Sequence, residues 1–310
     1  MIDGLAVVDK PAGMTSHDVV ARCRGVFGQR KVGHAGTLDP DATGVLLVGL
    51  GRATRLLQFL AGLPKSYTAE VVLGVTTSTL DEGGEVTGRW SQGHVTLVDA
   101  RREAEALTGS IQQVPPMVSA VKVGGRRLHE LARAGVDVER PSRTVTVTRF
   151  EVSETTASGL PHGGGPVFAI EVDCSSGTYI RTLAADLGFA LGGGAYLRRL
   201  RRIAVGPWPV ASAVALDDLD AAHVLEPAAA LPGLSTSRVG AELAGSVRNG
   251  QVLTRESLGV SGDGPWKVLD RHGYLLAVYS DHGDGRAKPV VVLAGDSPRD
   301  SRTEPLPGHR

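Results

Sequence analysis

The chain has 310 residues, which is long enough for one large catalytic domain with a smaller appendage. Hydrophobic residues make up 42% and charged residues 21%, as in ordinary globular proteins, and the formal net charge is zero. No apolar run approaches the roughly 18 residues of a membrane helix, and the N-terminus lacks a signal-peptide pattern. We therefore expect a soluble, cytoplasmic protein.

The predicted elements alternate irregularly along the chain. Apolar and β-branched runs predict strands, while capping residues and amphipathic spacing predict helices. The N-terminal part is predicted to contain strands at 5–8, 45–50 and 67–73 and helices at 16–27, 53–60 and 97–107. The later part is predicted to contain strands at 144–152, 167–172, 266–269, 275–279 and 289–293 and a helix at 178–191.

This order predicts an α+β fold with a large mixed or antiparallel sheet rather than a regular βαβ alternation. We expect a catalytic domain at 1–230 and a small β-rich domain at 231–295. Residues 296–310 are polar and contain proline, which is typical of a disordered tail. Cys23 and Cys174 lie far apart without a CxxC pair, so we expect two buried thiols and no zinc site or disulfide.

Positive charge is concentrated in three stretches. Residues 19–38 and 187–216 each contain four basic residues and no acid, and residues 120–149 contain seven basic residues against three acids. Such patches bind phosphates even on a neutral protein. Solvated faces that balance acids elsewhere explain the charge equally well, so charge alone leaves both interpretations open.

The segment from Gly33 to Gly44 reads GHAGTLDPDATG and concentrates polar chemistry on a predicted loop. Its glycines allow close approach of a ligand to the backbone. The sequence lacks a phosphate-binding GxxxxGK[ST] loop, an HExxH zinc motif and a GxSxG elbow. By exclusion Asp39 is the best candidate for a nucleophile or base, although an Asp in a turn before Pro40 is an equally good reading of the loop alone.

The segment GHAGTLDPDATGVLLVGLGRATRL closely resembles the signature of the TruB family, the bacterial tRNA pseudouridine-55 synthases. Four further stretches resemble family motifs in the same order, and together the five cover roughly residues 5–206. They are VDKPAGMTS at 8–16, KSY at 65–67, CSSGTYIR at 174–181 and LRRIAV at 200–205. The C-terminal segment matches more weakly and would correspond to a small RNA-binding, PUA-like domain.

The resemblance implies an isomerase that needs no cofactor or metal. Asp39 would be the nucleophile or base, and Arg181 would pair with it and favour its ionised form. Tyr67 would stack on a uracil flipped out of the RNA and assist proton transfer. Tyr179 and Leu200 would line the same pocket and bind the substrate with Tyr67. His34 would also bind the substrate, by occupying the space that the flipped nucleotide leaves.

The resemblance also implies that a basic insertion at about 123–149 closes over the T-arm of tRNA. An exposed helical hairpin is the alternative. The arginines of this segment suit shape and phosphate recognition of an RNA stem-loop. They are Arg126, Arg127, Arg133, Arg140 and Arg143. We expect a monomer, because no large apolar helix face is left unassigned.

Two rival functions remain open from the sequence. One is a pseudouridine synthase that acts on another RNA, for example a guide-dependent enzyme with the same catalytic motifs. The other is an RNA-folding protein, a tRNA chaperone, whose catalysis is dispensable. The basic insertion and short C-terminal domain favour a stand-alone enzyme, and the complete set of Asp39, Tyr67 and Arg181 argues against lost catalysis.

Overall fold

A computed structural model describes residues 1–117, 122–123, 126–127, 138, 140–156 and 160–293. Much of the predicted insertion at 123–149, including Arg133, lies outside the described residues, as does the whole of the predicted tail at 296–310. In the described part of the chain, no helix is long and apolar enough to cross a membrane.

The described residues form 20 strands, six α-helices and four 3-10 helices. The first ten strands are β1 (Gly4–Lys10), β2 (Val32–Ala35), β3 (Thr43–Leu50), β4 (Lys65–Leu73), β5 (Val75–Thr77), β6 (Val86–Arg89), β7 (Gly109–Gln113), β8 (Lys122–Val123), β9 (Arg126–Arg127) and β10 (Arg143–Glu154). The other ten are β11 (Val167–Cys174), β12 (Ala195–Val205), β13 (Trp208–Pro209), β14 (Val214–Ala215), β15 (Val224–Leu225), β16 (Ser235–Arg238), β17 (Leu253–Thr254), β18 (Trp266–Leu269), β19 (Leu275–Asp281) and β20 (Arg286–Val292). The α-helices are α1 (Ser16–Val26), α2 (Leu57–Ala61), α3 (Leu97–Ala106), α4 (Ile180–Ala190), α5 (Ala241–Arg248) and α6 (Arg255–Leu258). The 3-10 helices are Gly51–Leu56, Val210–Ser212, Leu216–Asp218 and Ala221–His223.

The larger sheet has 11 strands within the described residues and is mixed, as the sequence predicts. Its main path runs β14-β1-β3-β12-β4-β11-β10-β7, and β2, β13 and β15 pair off this path with β3, β12 and β1, respectively. The pairs β1–β14 and β3–β12 are parallel, and the other pairs along the path are antiparallel. The parallel contact between β3 and β12 is short and joins Thr43 and Gly44 to Arg201 and Arg202. This contact lies at the start of β3, directly after the loop that carries Asp39.

Glycine is required where β3 meets β12. Gly44 has a φ of +101°, and a Cβ at this position would lie 2.1 Å from the backbone oxygen of Arg202. A side chain of any kind would therefore both clash with β12 and strain the backbone. The absence of a side chain at Gly44 lets the two strands approach closely beside the site.

The hydrophobic core continues from the larger sheet into a second sheet with the order β16-β18-β19-β20-β17. One cluster joins Leu5, Leu47 and Leu56 of the first region to Val278 and Val291 of the second. At the edge of this cluster Arg52 and Arg55 donate to the backbone oxygens of residues 293 and 292, at 2.9 and 2.6 Å. The β-rich C-terminal region is thus packed and hydrogen-bonded to the larger one.

Local sequence signals explain several element boundaries. Thr15 and Asp18 form a reciprocal capping box that begins α1, as the pattern at Thr15 and Ser16 predicts. Strand β4 alternates between buried and half-buried residues, with Tyr67 and Ala69 on the buried face. Cys23 and Cys174 are free thiols, and both are buried, as predicted.

Most predicted boundaries differ from the observed ones by one or two residues, and four differences are informative. The loop predicted at 33–44 is shorter, because β2 extends through Ala35 and pairs with β3. The helix predicted at 53–60 is a 3-10 helix at Gly51–Leu56 followed by the short α2. The helix predicted at 178–191 begins at Ile180, because Tyr179 is extended and its N–H donates to Gln113 Oε1 at 2.7 Å. The strand predicted at 289–293 begins earlier, at Arg286.

Candidate active site

The loop that carries Asp39, residues 36–42, is held from both sides by buried cations. Arg202 is 1% exposed. It donates to the backbone oxygen of Gly36, at the start of the loop, at 3.0 Å and to that of Val45, in β3 after the loop, at 2.7 Å. Lys10, which is fully buried, donates to the backbone oxygen of Pro40 at 2.8 Å. These bonds fix a loop whose sequence alone has little regular structure.

Asp39 and Arg181 form a two-point ion pair. Arg181 Nε lies 2.9 Å from Asp39 Oδ2, and Arg181 Nη2 donates to Asp39 Oδ1 at 3.1 Å. The Arg181 side chain is 4% exposed, whereas that of Asp39 is 40% exposed. The carboxylate is therefore oriented by a buried guanidinium and remains open on its other side.

The ionisation of Asp39 is set by opposing effects. Burial raises the pKa of the Asp39 carboxyl, and Arg181 lowers it. Nearby Asp81 raises the same pKa further. Arg181 thus favours the ionised carboxylate, as expected, but burial is the larger effect and the net shift of the Asp39 pKa is upward.

A cavity of about 260 Å³ opens beside this pair. Five residues singled out in the sequence line this cavity, although they come from four separate segments of the chain. They are Asp39, Tyr67, Tyr179, Arg181 and Leu200. The wall also includes two residues whose place the sequence analysis missed, Lys65 and Arg202.

Tyr67 lies on the buried face of β4 and is 7% exposed. In the sheet its backbone pairs with that of Arg202, so the ring and the guanidinium lie on neighbouring strands. Burial raises the pKa of the Tyr67 phenol, and the nearby Arg202 opposes that rise. Tyr67 thus presents a neutral aromatic wall to the cavity at physiological pH.

Tyr179 and Leu200 reach the cavity through irregular backbone. Tyr179 caps α4 in an extended conformation, and the guanidinium carbon of Arg143 lies 4.8 Å from its ring centroid. The pairing of β12 with β4 shifts register between Arg198 and Arg201, where Arg199 has a φ of +52°. This bulge sets Leu200 at the cavity wall.

His34 does not line the cavity. It lies on β2, and its ring meets that of His17 edge-on with 5.3 Å between the centroids. Burial, with His17 and Arg202, lowers the pKa of His34 to about 4, so the imidazole is neutral at pH 7. Its Nδ1 is buried and has no hydrogen-bond partner among the described residues.

Asp81 also reaches the ion pair, and the sequence analysis missed it. Its Oδ2 lies 3.6 Å from Arg181 Nη1, which donates to the backbone oxygen of Thr79 at 2.7 Å. Asp81 belongs to a polar turn between β5 and β6, and nothing in its local sequence marks a partner 100 residues away. Within the described ranges, His, Cys, Asp and Glu side chains form no group of three or more that could hold a metal ion.

Comparison with known proteins identifies the class first. The pattern described as "TruB family pseudouridylate synthase (N terminal domain)" matches residues 24–180, and that described as "tRNA pseudouridylate synthase B C-terminal domain" matches residues 181–230. Both matches fall on the larger sheet and its helices, and the second sheet begins after them. The fold and cavity are thus those of a pseudouridylate synthase.

Sequence relatives give the family. The chain is 47% identical to tRNA pseudouridine synthase B of Thermobifida fusca (strain YX), over 95% of this chain and 100% of that protein. It is 44% identical to tRNA pseudouridine synthase B of Mycobacterium tuberculosis (strain ATCC 25618 / H37Rv), over 94% of this chain and 95% of that protein. The chain belongs to the TruB family.

Solved structures share the fold at lower identity. One chain of a Cbf5-Nop10-Gar1 complex matches with a TM-score of 0.68 and 26% identity, over 93% of this chain and 83% of that chain. One chain of an H/ACA RNP bound to a substrate RNA containing 2'-deoxyuridine matches with a TM-score of 0.68 and 23% identity, over 94% of this chain and 85% of that chain. The latter likeness shows a common fold.

Proposed function

We propose that this protein isomerises uridine to pseudouridine in tRNA, at position 55 of the T-loop. The observation that carries the proposal is the carboxylate of Asp39, held by buried Arg181 at the wall of a cavity that Tyr67 also lines. The curated relatives named tRNA pseudouridine synthase B support tRNA as the substrate, because they match nearly the whole chain at 44–47% identity.

Asp39 is the group that assists cleavage of the glycosidic bond. The reaction breaks the N1–C1′ bond, turns the uracil and joins it to the sugar through C5. It is an isomerisation, so it needs a nucleophile or base and no external oxidant. Burial raises the pKa of Asp39 and removes water from its carboxylate, which makes the ionised form more reactive. Arg181 keeps that carboxylate in one orientation.

The target base enters the cavity after it has left the RNA stack. A volume of about 260 Å³ lies just below the roughly 300–1,000 Å³ of pockets for drug-sized ligands, which suits a single base. Tyr67 offers a ring on which a flipped uracil can stack. Tyr179 and Leu200 provide the remaining aromatic and apolar walls.

Groups outside the cavity hold the RNA. We place His34 against the RNA where the flipped nucleotide has left, because the motif resemblance implies this role and the neutral ring lies outside the cavity, two residues before the loop that carries Asp39. Arg143, stacked on Tyr179, and the rest of the basic insertion would approach the T-arm. The C-terminal β-rich region would add a PUA-like RNA contact. We propose that the protein acts as a monomer in the cytoplasm, where tRNA is available.

Direct mapping of pseudouridine tests this function. Unmodified tRNA transcript is incubated with the protein, and modified positions are mapped chemically. We expect modification at position 55 and none in a transcript with cytidine there. An unmodified T-loop under conditions where tRNA binds would contradict the proposal. Modification only in a ribosomal RNA fragment would instead point to another RNA substrate, and accelerated tRNA folding without modification would point to a chaperone.

A further inference from the structure

Two buried lysines near the site differ in the number of hydrogen bonds that their ammonium groups can make. Lys10 Nζ donates to three backbone oxygens, those of Pro11, Met14 and Pro40, at 2.6–2.8 Å. An ammonium has three N–H groups, so this environment satisfies the charged form completely. Lys10 is therefore suited to a permanent structural role.

Lys65 has only two such partners. Its Nζ donates to the backbone oxygens of Ala61 at 3.1 Å and Leu63 at 2.7 Å, and the described residues supply no third acceptor. A neutral amine has two N–H groups and one lone pair, so two carbonyl oxygens match it fully. The protein therefore satisfies both N–H groups of a neutral Lys65 amine, whereas an ammonium would need a third acceptor from the cavity that Lys65 lines.

Local electrostatics act in the same direction. Burial lowers the pKa of both Lys65 and Lys10 to about 8. The two lysines differ in their neighbours, because the carboxylates of Asp41 and Asp39 favour the charged form of Lys10. At Lys65 the positive charge of Arg202 adds to the downward shift. The described residues place no carboxylate within ion-pair distance of Lys65 Nζ, in contrast to the buried guanidinium of Arg181. An appreciable fraction of Lys65 is thus neutral near physiological pH.

Lys65 is also correctly placed to meet a bound base. Residues two apart on a strand share a face, and Lys65 and Tyr67 both lie on the buried face of β4. Both line the cavity beside Asp39. Lys65 lies beneath the catalytic loop, since a Cβ at Gly36 would be 3.4 Å from Lys65 Cε.

We propose that Lys65 is the base that removes the proton from C5 of the uracil after the new C5–C1′ bond has formed. This inference rests on the proposed function. The proton passes from C5 to Lys65 Nζ, and the electron pair of the C5–H bond restores the C5–C6 double bond. N1, released from the sugar in the first step, takes up a proton, so the product is an isomer of the substrate.

The other groups at the cavity are less suited to this step. Asp39 holds both oxygens toward Arg181 and serves the first step. Burial raises the pKa of Tyr67, so its phenol retains a proton at the pH where the reaction runs. An amine with a free lone pair has neither restriction.

Deuterium at C5 of the substrate uridine tests the proposal. Transcripts made with 5-deuterouridine are compared with ordinary transcripts under single-turnover conditions. In the wild-type protein we expect the isotope effect to grow as pH falls from 9 to 6, because protonated Lys65 slows C5–H cleavage. An isotope effect that stays constant over this range would overturn the proposal.

Substitutions give an independent test. We expect Lys65→Met to react about 10²–10⁴-fold more slowly, with a larger C5 isotope effect than the wild type. Lys65→Arg should be equally slow, because a guanidinium does not accept a proton in this pH range. Activity of Lys65→Arg near the wild-type level would show that positive charge, and not basicity, is what the site needs.

A matched lysine separates a base from a structural residue. Lys10→Met should lower stability and rate without enlarging the C5 isotope effect, because Lys10 holds the loop at the backbone oxygen of Pro40 and is not among the residues that line the cavity. Should Lys65→Met fail to fold, the wild-type pH dependence still decides. A wild type that forms no pseudouridine contradicts the proposed function, whereas pseudouridine formation with an invariant isotope effect contradicts only the role of Lys65.

Discussion

Arg181 Nε lies 2.9 Å from Asp39 Oδ2, and the two residues are 142 positions apart in the chain. The guanidinium comes from the first turn of α4 and the carboxylate from the loop between β2 and β3. The Arg181 side chain is 4% exposed, whereas that of Asp39 is 40% exposed and only partly desolvated. One partner is thus fixed in the core while the other remains open to a substrate, and the predictions below depend on this asymmetry.

Neutralising Asp39 should stop the reaction while RNA binding persists. Asp39→Asn keeps the shape of the side chain but removes the nucleophile or base, so we expect turnover to fall on the order of 10⁴-fold or more. Release of tritium from tRNA labelled at C5 of uridine measures it, and filter binding measures affinity. Asp41→Asn, an exposed change two residues along the same loop, is the matched control and should retain most activity. Turnover of Asp39→Asn at the wild-type rate would refute the assignment.

Removing Arg181 should move the pH dependence of turnover. Under the proposed function the ionised Asp39 is the active form, so we expect activity to be lost as pH falls through its raised pKa. Arg181 lowers that pKa, and Arg181→Met therefore shifts the acidic limb of the kcat/KM profile to higher pH. Arg181→Lys, which keeps the charge without the two-point geometry, should shift it less. An acidic limb at the same pH in all three proteins would contradict this account of Asp39.

Two substitutions at Tyr67 should separate its ring from its hydroxyl. Tyr67→Phe keeps the stacking surface, so we expect RNA affinity and stability close to the wild type. Tyr67→Ala leaves a hole in the core beneath β4 and should cost about 3–5 kcal/mol of unfolding free energy, the range for large aromatic side chains. Denaturant unfolding checks stability, and competition binding checks affinity. Equal stability of the two variants would show that the ring is not packed as described.

Gly44 should tolerate no side chain. A methyl group there would meet the backbone oxygen of Arg202 at 2.1 Å on a backbone with positive φ, so Gly44→Ala should destabilise by more than about 2 kcal/mol. Gly25→Ala is the control, because a Cβ there meets nothing within 4 Å and the residue lies inside α1. That variant should gain about 0.5–1 kcal/mol from helix propensity. Similar thermal midpoints for the two variants would contradict the close contact of β3 and β12.

The sequence predicted helix starts and strand faces correctly where interactions between residues close in the chain decide them. The capping pair Thr15 and Asp18 begins α1, and alternating apolar residues identify β4 and its buried face. The extended Tyr179 shows the limit of this reasoning, because a hydrogen bond from the distant Gln113 sets where α4 begins. Motif resemblance predicted the family correctly, and it selected five residues that line one cavity.

The sequence by itself determined the family and singled out residues that line one cavity. Only the tertiary structure decided how those residues are charged and which neighbours complete the site. The pKa of Asp39 rises because packing removes its water, an effect that no motif encodes. Asp81, Arg202 and Lys65 join the site through sheet pairing and long-range contacts. A sequence pattern specifies which residues are neighbours within one helix or strand. The hydration and the pKa of a site residue depend instead on distant segments that folding brings together.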